Sequence, residues 1–138
     1  MNFTGTILLV DDEPHIRGFI ALVLRKVGEP RIIQAGDGTE ALEIFRREKP
    51  DLVLLDINMP GLTGVETLQQ LRAADPECLV VMLTSLASRQ VVEETLALGA
   101  VGFIRKDTPK EEIVRAVGEI IASCFAPGEP AEPAEPAQ

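Results

Sequence analysis

Five short apolar segments alternate along the chain with five segments in which apolar residues recur at helical spacing. The apolar segments cover residues 6–10, 31–35, 52–55, 79–83 and 101–104. Strands that alternate with helices pair in parallel, because parallel strands need crossover connections, and those crossovers are right-handed. This alternation limits the fold more than any other feature: it predicts an α/β domain with helices on both faces of a parallel sheet.

The intervening segments carry helix start and stop signals. After Pro14, apolar residues recur at helical spacing as far as Val27, and Gly28 predicts the end of the helix. Asp37 followed by Glu40 predicts a capping box at the start of the second helix. The remaining helices are predicted over residues 63–75, 88–98 and 108–121.

The composition of the strands predicts their order in the sheet. Segments 6–10, 52–55 and 79–83 are almost wholly apolar, as expected of central strands that are covered on both faces. The other two segments are shorter or carry polar residues, which suits edges. We therefore predict a doubly wound (βα)5, flavodoxin-like three-layer sandwich with a five-stranded parallel sheet in the order 2-1-3-4-5.

Composition excludes several classes of function. The chain has 13 Lys and Arg against 22 Asp and Glu, a formal charge of −9, which argues against direct nucleic acid binding. No apolar run reaches membrane-spanning length, so no membrane association is predicted. Cys78 and Cys124 fit neither a disulfide framework nor a zinc site, and the predicted location is cytoplasmic.

The last thirteen residues differ in composition from the rest of the chain. Residues 126–138 repeat Glu-Pro-Ala and contain no apolar residue larger than alanine, so they cannot bury a core. We predict a folded domain over residues 1–125 and a disordered tail or linker over residues 126–138.

Polar residues follow four of the predicted strands at the edge where ligands bind in such folds. Each has an ordinary structural explanation when taken singly, as a turn former, a helix cap or a surface charge. Together they comprise three acids, a hydroxyl pair and a lysine: Asp11, Asp12, Asp56, Thr84, Ser85 and Lys106.

Three neighbouring carboxylates repel one another unless a cation neutralises them, and a site of oxygen ligands alone favours Mg²⁺. A divalent ion beside a lysine and a hydroxyl is the apparatus of phosphoryl transfer. Asp56 is alone at the end of the central strand and is the predicted nucleophile.

These motifs resemble the receiver domain of bacterial two-component response regulators, which shares its fold with the chemotaxis regulator. The resemblance covers about residues 6–124. It rests on Asp11-Asp12, Asp56-Ile-Asn58-Met-Pro60-Gly61, Thr84-Ser85 and Phe103-Ile-Arg-Lys106.

The resemblance implies a role for each motif residue. Asp56 would accept the phosphoryl group, and Lys106, the Thr84 hydroxyl and backbone N–H groups at Ser85 and after Asp56 would contact its oxygens. The implied ion is Mg²⁺, with Mn²⁺ as an alternative. Its ligands would be the carboxylates of Asp12 and Asp56, Asp11 through water, and the backbone carbonyl of Asn58.

The resemblance also implies a switch and its partners. Thr84 and Phe103 would move on phosphorylation and reshape the face formed by the fourth helix, the fifth strand and the fifth helix. The donor would be a sensor histidine kinase, a histidine phosphotransfer protein or a small phosphodonor, and homodimerisation through the reshaped face is a further implication. Such a domain catalyses its own aspartyl phosphorylation and dephosphorylation and does not turn over an external substrate.

Two positions depart from the family pattern. Asp107 follows Lys106 where most receivers have a proline after a cis peptide bond, although Lys-Asp occurs in receivers of the nitrate-regulator class. A cis bond before a residue other than proline costs about 2.5 to 4 kcal/mol, which leaves the geometry of this loop open. Leu86 is apolar, and we hypothesise that it slows water attack on the phosphoryl group.

Two other functions compete with this interpretation. A haloacid-dehalogenase-type phosphatase would need a second acid two residues after the nucleophile, where this chain has Asn58. A flavin or nucleotide binder would need a glycine- or hydroxyl-rich loop after the first strand. This chain has Asp-Asp-Glu there, which would repel a phosphate.

Overall fold

The computed structural model describes residues 3–85 and 89–124. Five strands form one parallel sheet in the order β2-β1-β3-β4-β5, which confirms the predicted fold and strand order. The strands are β1 (Thr6–Val10), β2 (Arg31–Ala35), β3 (Leu52–Asp56), β4 (Val80–Thr84) and β5 (Gly102–Arg105). The α-helices are α1 (Pro14–Leu24), α2 (Gly38–Glu48), α3 (Gly64–Ala74), α4 (Arg89–Ala97) and α5 (Lys110–Cys124).

The sheet separates two hydrophobic cores. On one face, α1 and α5 pack through residues such as Ile20, Leu24 and Val117. On the other face, α2 and α3 contribute Phe45 and Leu68, among others. Burial on both faces explains why β1, β3 and β4 are almost wholly apolar, since each side of these strands faces a helix layer.

Several predicted element boundaries, and one predicted helix cap, differ from the structure. The first α-helix ends at Leu24, and one 3-10 turn over Arg25–Val27 continues to Gly28, whose φ of 143° favours glycine. Residue Thr108 is the predicted N-cap of α5 and Pro109 its predicted first residue, but the helix starts at Lys110. In α2 only half of the capping box forms: Asp37 accepts from the Glu40 N–H, but Glu40 accepts from Gly36 instead of Asp37. Finally, β3 ends one residue later than predicted, and β4 and β5 are each shifted by one residue.

Some predictions fall outside the described residues. These are the proposed tail over residues 126–138, the start of the fourth helix at Ser88 and the role of Leu86. Within the described part of the chain, no helix is long and apolar enough to cross a bilayer. Both cysteines are free, with Cys78 buried and Cys124 exposed.

Candidate functional site

The carboxyl ends of the strands bring most of the predicted site together. Asp56 is the last residue of β3, and Thr84 is the last residue of β4. Asp11 directly follows β1, and Lys106 directly follows β5. Because β1 and β4 lie on either side of β3, their ends flank Asp56, and the register pairs Asp56 with Leu83, one residue before Thr84. The sheet order thus makes one site from residues up to 95 positions apart.

The Lys106 side chain closes the site from the β5 side. Its Nζ lies 2.8 Å from Asp11 Oδ2 and 3.0 Å from Asp56 Oδ2, and all three side chains are almost fully buried. Within the described residues, neither of these two carboxylate oxygens has a hydrogen-bond partner. The lysine therefore neutralises the acids by charge at close range, through an ion pair with each inner oxygen.

Burial and charge shift the pKa values of the central pair. Burial raises the pKa of Asp56 to about 6, against the lowering effect of Lys106, and the charge of Asp11 raises it further. Burial alone would lower the pKa of Lys106, but its contacts with Asp11 and Asp56 outweigh burial and raise that pKa. At neutral pH Asp56 is accordingly mostly ionised beside a protonated Lys106.

The acids are placed to bind a cation. Asp11, Asp12 and Asp56 each offer a carboxylate oxygen, and these three oxygens lie within 4.8 Å of one another. Two of the three residues are buried, and Asp12 is partly exposed. Hard cations prefer such oxygen ligands, and a cation in this cluster would compete with Lys106 for the two inner oxygens that the lysine contacts. The donor set therefore fits Mg²⁺.

The loop after β3 is shaped around the Asp56 carboxylate. Asp56 Oδ1 accepts a hydrogen bond of 3.1 Å from the Asn58 backbone N–H. Thr63 and Glu66 form the predicted capping box at the start of α3. A side chain on Gly64 would overlap with the backbone of Asp56 and Ile57, so only glycine lets α3 begin this close to the strand end.

The remaining predicted residues lie around this centre. Thr84 is fully buried, whereas Ser85 and Asn58 are exposed. Phe103 lies on the edge strand β5 with 42% of its surface exposed. The backbone thus brings the predicted phosphoryl-contacting residues to one edge, while the predicted aromatic switch lies on the outer surface.

The structure defines the peptide bond between Lys106 and Asp107, at the position where most receivers have a proline after a cis bond. No peptide bond among the described residues is cis, so the bond between Lys106 and Asp107 is trans. The Lys106 N–H donates to the Thr84 carbonyl at 2.8 Å, which joins the β5 end to β4. Asp107 pairs with both Nε and Nη2 of Arg105, at 3.1 and 3.0 Å. This exposed bidentate pair joins the two residues on either side of Lys106 in the chain.

Sequence reasoning missed Arg17 as a residue of the site. Its guanidinium donates to the Asp11 carbonyl and, at 3.1 Å, to Gln34 Oε1, and it thereby ties α1 to the ends of β1 and β2. The helical periodicity marks Ile16 and Ile20 as inward-facing but says nothing about a polar neighbour. The available signal for Arg17 was its position one turn into a helix that follows two acids.

Comparison with known proteins agrees with this geometry. The family model of the response regulator receiver domain matches residues 7–118. Sporulation initiation phosphotransferase F of Bacillus subtilis is 37% identical over 111 residues, which cover 80% of this chain and 89% of the relative. The uncharacterized transcriptional regulatory protein YxjL of the same organism is 33% identical over 112 residues; the match covers 80% of this chain but only 51% of YxjL.

A solved structure shares the fold. The CheX-CheY-BeF3-Mg²⁺ complex from Borrelia burgdorferi contains a chain that superimposes with a TM-score of 0.79 at 28% identity. That alignment covers 84% of this chain and 88% of the other.

Proposed function

The chain belongs to the response regulator receiver family, and from this premise we propose that Asp56 is the residue that accepts the phosphoryl group. The observation that supports Asp56 most directly is its place at the centre of the site, with Lys106 3.0 Å from one carboxylate oxygen and the Asn58 N–H 3.1 Å from the other. Family membership also decides against the phosphatase and the flavin binder considered above.

The transfer needs an ionised Asp56 and a donor that carries a phosphoryl group, such as a phosphohistidine. A carboxylate oxygen of Asp56 forms the new bond to phosphorus, while the phosphorus–nitrogen bond of a phosphohistidine breaks and its electron pair stays on the imidazole. With a pKa of about 6, Asp56 is mostly ionised at neutral pH and available as the nucleophile. The donor would be a sensor histidine kinase, a histidine phosphotransfer protein or a small phosphodonor.

The acidic cluster would hold the metal ion. We assign Mg²⁺, or Mn²⁺ in its place, to the carboxylates of Asp12 and Asp56 and to the Asn58 backbone carbonyl, with Asp11 acting through water. When bound, this ion would neutralise charge that develops on the phosphoryl oxygens. Lys106 would contribute a second positive charge from the β5 side, since its ammonium already lies within ion-pair distance of Asp56.

The signal would leave the site through Thr84 and β5. Thr84 would bind a phosphoryl oxygen with its hydroxyl, and Ser85 would contribute its backbone N–H. Phe103 is 42% exposed on β5, so an inward turn of its ring would change the surface formed by α4, β5 and α5. That surface would bind the partner or a second copy of the chain, as the added charge shifts a two-state equilibrium.

Phosphorylation with a small donor tests the proposal. The protein is incubated with acetyl phosphate or phosphoramidate and Mg²⁺, and the adduct is measured by intact-protein mass spectrometry and by its stability in acid and lability in base. We expect one phosphoryl group on the wild type and none on Asp56→Asn. The matched control, Glu43→Gln, removes an exposed acid from α2 and should be phosphorylated like the wild type.

Two results would contradict the proposal. An adduct that persists in Asp56→Asn would place the acceptor elsewhere. Equal phosphorylation with and without EDTA would show that the reaction does not need a metal ion.

A further inference from the structure

Glu13 occupies the cap position of α1 without acting as a cap. Its backbone is extended, as at other helix starts, but its side chain makes no capping hydrogen bond. Short side chains such as Ser, Thr, Asp or Asn are preferred there because they reach the free N–H groups of the first turn. The Glu13 N–H is itself bound by Asp11 Oδ1 at 2.8 Å. The start of the helix therefore does not account for a glutamate at this position.

The Glu13 side chain instead reaches across the site to Lys106. Its Oε1 lies 3.4 Å from the Lys106 Nζ, between residues 93 positions apart. Lys106 is thus in contact with three carboxylates, at 2.8 Å from Asp11, 3.0 Å from Asp56 and 3.4 Å from Glu13. Of the three, Glu13 is the one on the solvent side, because its side chain is 48% exposed and the other two are buried.

The lysine and a divalent cation compete for the same carboxylates. Asp11 and Asp56 contact Lys106, and with Asp12 they also form the acidic cluster. An ammonium group and a divalent ion on the same oxygens repel each other, so a bound cation weakens the hold of Asp11 and Asp56 on Lys106. Glu13 contacts the lysine but lies outside the cluster, and so remains available to it.

We propose that Glu13 is a positioning residue that holds the Lys106 ammonium at the rim of the site while Asp11, Asp12 and Asp56 bind a divalent cation. This contact reduces the cost of moving the lysine off the cluster and thereby strengthens cation binding. It also keeps the ammonium beside Asp56, where a phosphoryl oxygen would need it. The inference rests on the proposed function, because it concerns the metal site of that reaction.

A positioning role differs from a simple charge effect in two measurable ways. Glu13→Asp keeps the negative charge but shortens the side chain by one methylene group, which breaks a contact already at 3.4 Å. Glu13→Gln keeps the length but removes the charge. In addition, a role exercised through the lysine must disappear when Lys106 is replaced by methionine, whereas an effect of charge at a distance must persist.

Isothermal titration calorimetry of the metal-free 138-residue chain with MgCl₂ at constant ionic strength tests the proposal without any phosphoryl transfer. Because the contact is partly exposed, we expect Glu13→Gln and Glu13→Asp each to weaken Mg²⁺ binding about threefold. In the Lys106→Met background, Glu13→Gln should change the affinity less than about twofold. Glu43→Gln, the control on α2, should bind like the wild type, and thermal unfolding followed by circular dichroism verifies that each variant is folded.

The outcomes separate this inference from the proposed function. Wild-type affinity in Glu13→Asp, or a full threefold loss in the Lys106→Met background, would overturn the positioning role while leaving the metal site intact. If the wild type binds no Mg²⁺, or if Asp12→Asn binds it as well as the wild type does, the assigned metal site is wrong and the inference is overturned with it.

Discussion

Replacing Asp56 by asparagine should stabilise the metal-free protein at neutral pH but much less at pH 4. Burial raises the pKa of Asp56 from 3.8 to about 6, so between these values the folded state binds more protons than the unfolded state. For an acid shifted in this direction, the free energy of unfolding falls as the pH rises. The loss of stability that comes from ionising the buried Asp56 is nearly absent below about pH 4 and complete above about pH 6.

The size of the effect follows from the shift. A difference of about two pH units corresponds to roughly 3 kcal/mol, and this is a net value that already includes the attraction of Lys106. Asparagine carries no charge in the folded or the unfolded state, so the variant does not lose this free energy as the pH rises. The advantage of Asp56→Asn over the wild type should therefore be about 3 kcal/mol larger at pH 7.5 than at pH 4, or roughly 10 °C in melting temperature.

Urea unfolding in EDTA measures this difference. Circular dichroism at 222 nm is the appropriate signal, because the chain contains no Trp or Tyr. Addition of Mg²⁺ should reverse the comparison at pH 7.5, since only the wild type has the complete acidic cluster and binding stabilises the folded state. Glu43→Gln, which removes an exposed charge, provides the control for general effects of net charge.

A constant difference between Asp56→Asn and the wild type from pH 4 to pH 7.5 would refute the reasoning. So would a difference that grows as the pH falls. The first result would mean that the folded protein ionises Asp56 as easily as the unfolded chain does, and the second that it does so more easily.

Three further variants test the surroundings of the site. Gly64→Ala should destabilise the fold by about 3 kcal/mol or more in urea unfolding, because the new methyl group overlaps with the Asp56 carbonyl; a change below 1 kcal/mol would show that α3 can shift. Thr63→Ala should cost about 1 kcal/mol through loss of the capping box, measured in the same way, with Thr63→Ser close to the wild type. Arg17→Met should lower the rate of phosphorylation by acetyl phosphate several-fold, since the Asp11 carbonyl loses its donor; an unchanged rate would limit Arg17 to a structural role.

The pattern of residues was sufficient to predict the fold and to predict which strand ends meet at one edge of the sheet. Parallel strands place their carboxyl ends at one edge, so the acids after β1 and at the end of β3, Thr84 at the end of β4 and the lysine after β5 had to converge once the strand order was known. Residue types a few positions apart also predicted an interaction between near neighbours in the chain correctly, namely the capping box of Thr63 and Glu66. The tail over residues 126–138 stays a prediction from composition.

Only the tertiary structure decided which carboxylates at this edge of the sheet contact the Lys106 ammonium group. The sequence predicts that Asp11, Asp56 and Lys106 lie near one another, but the contact of one ammonium group with three carboxylates, Glu13 included, depends on distances of a few tenths of an ångström. The contact of Arg17 with the Asp11 carbonyl and the trans bond after Lys106 likewise follow from packing between distant segments. Periodicity reports which face of an element is buried; it carries no information about which polar groups meet across the sheet edge.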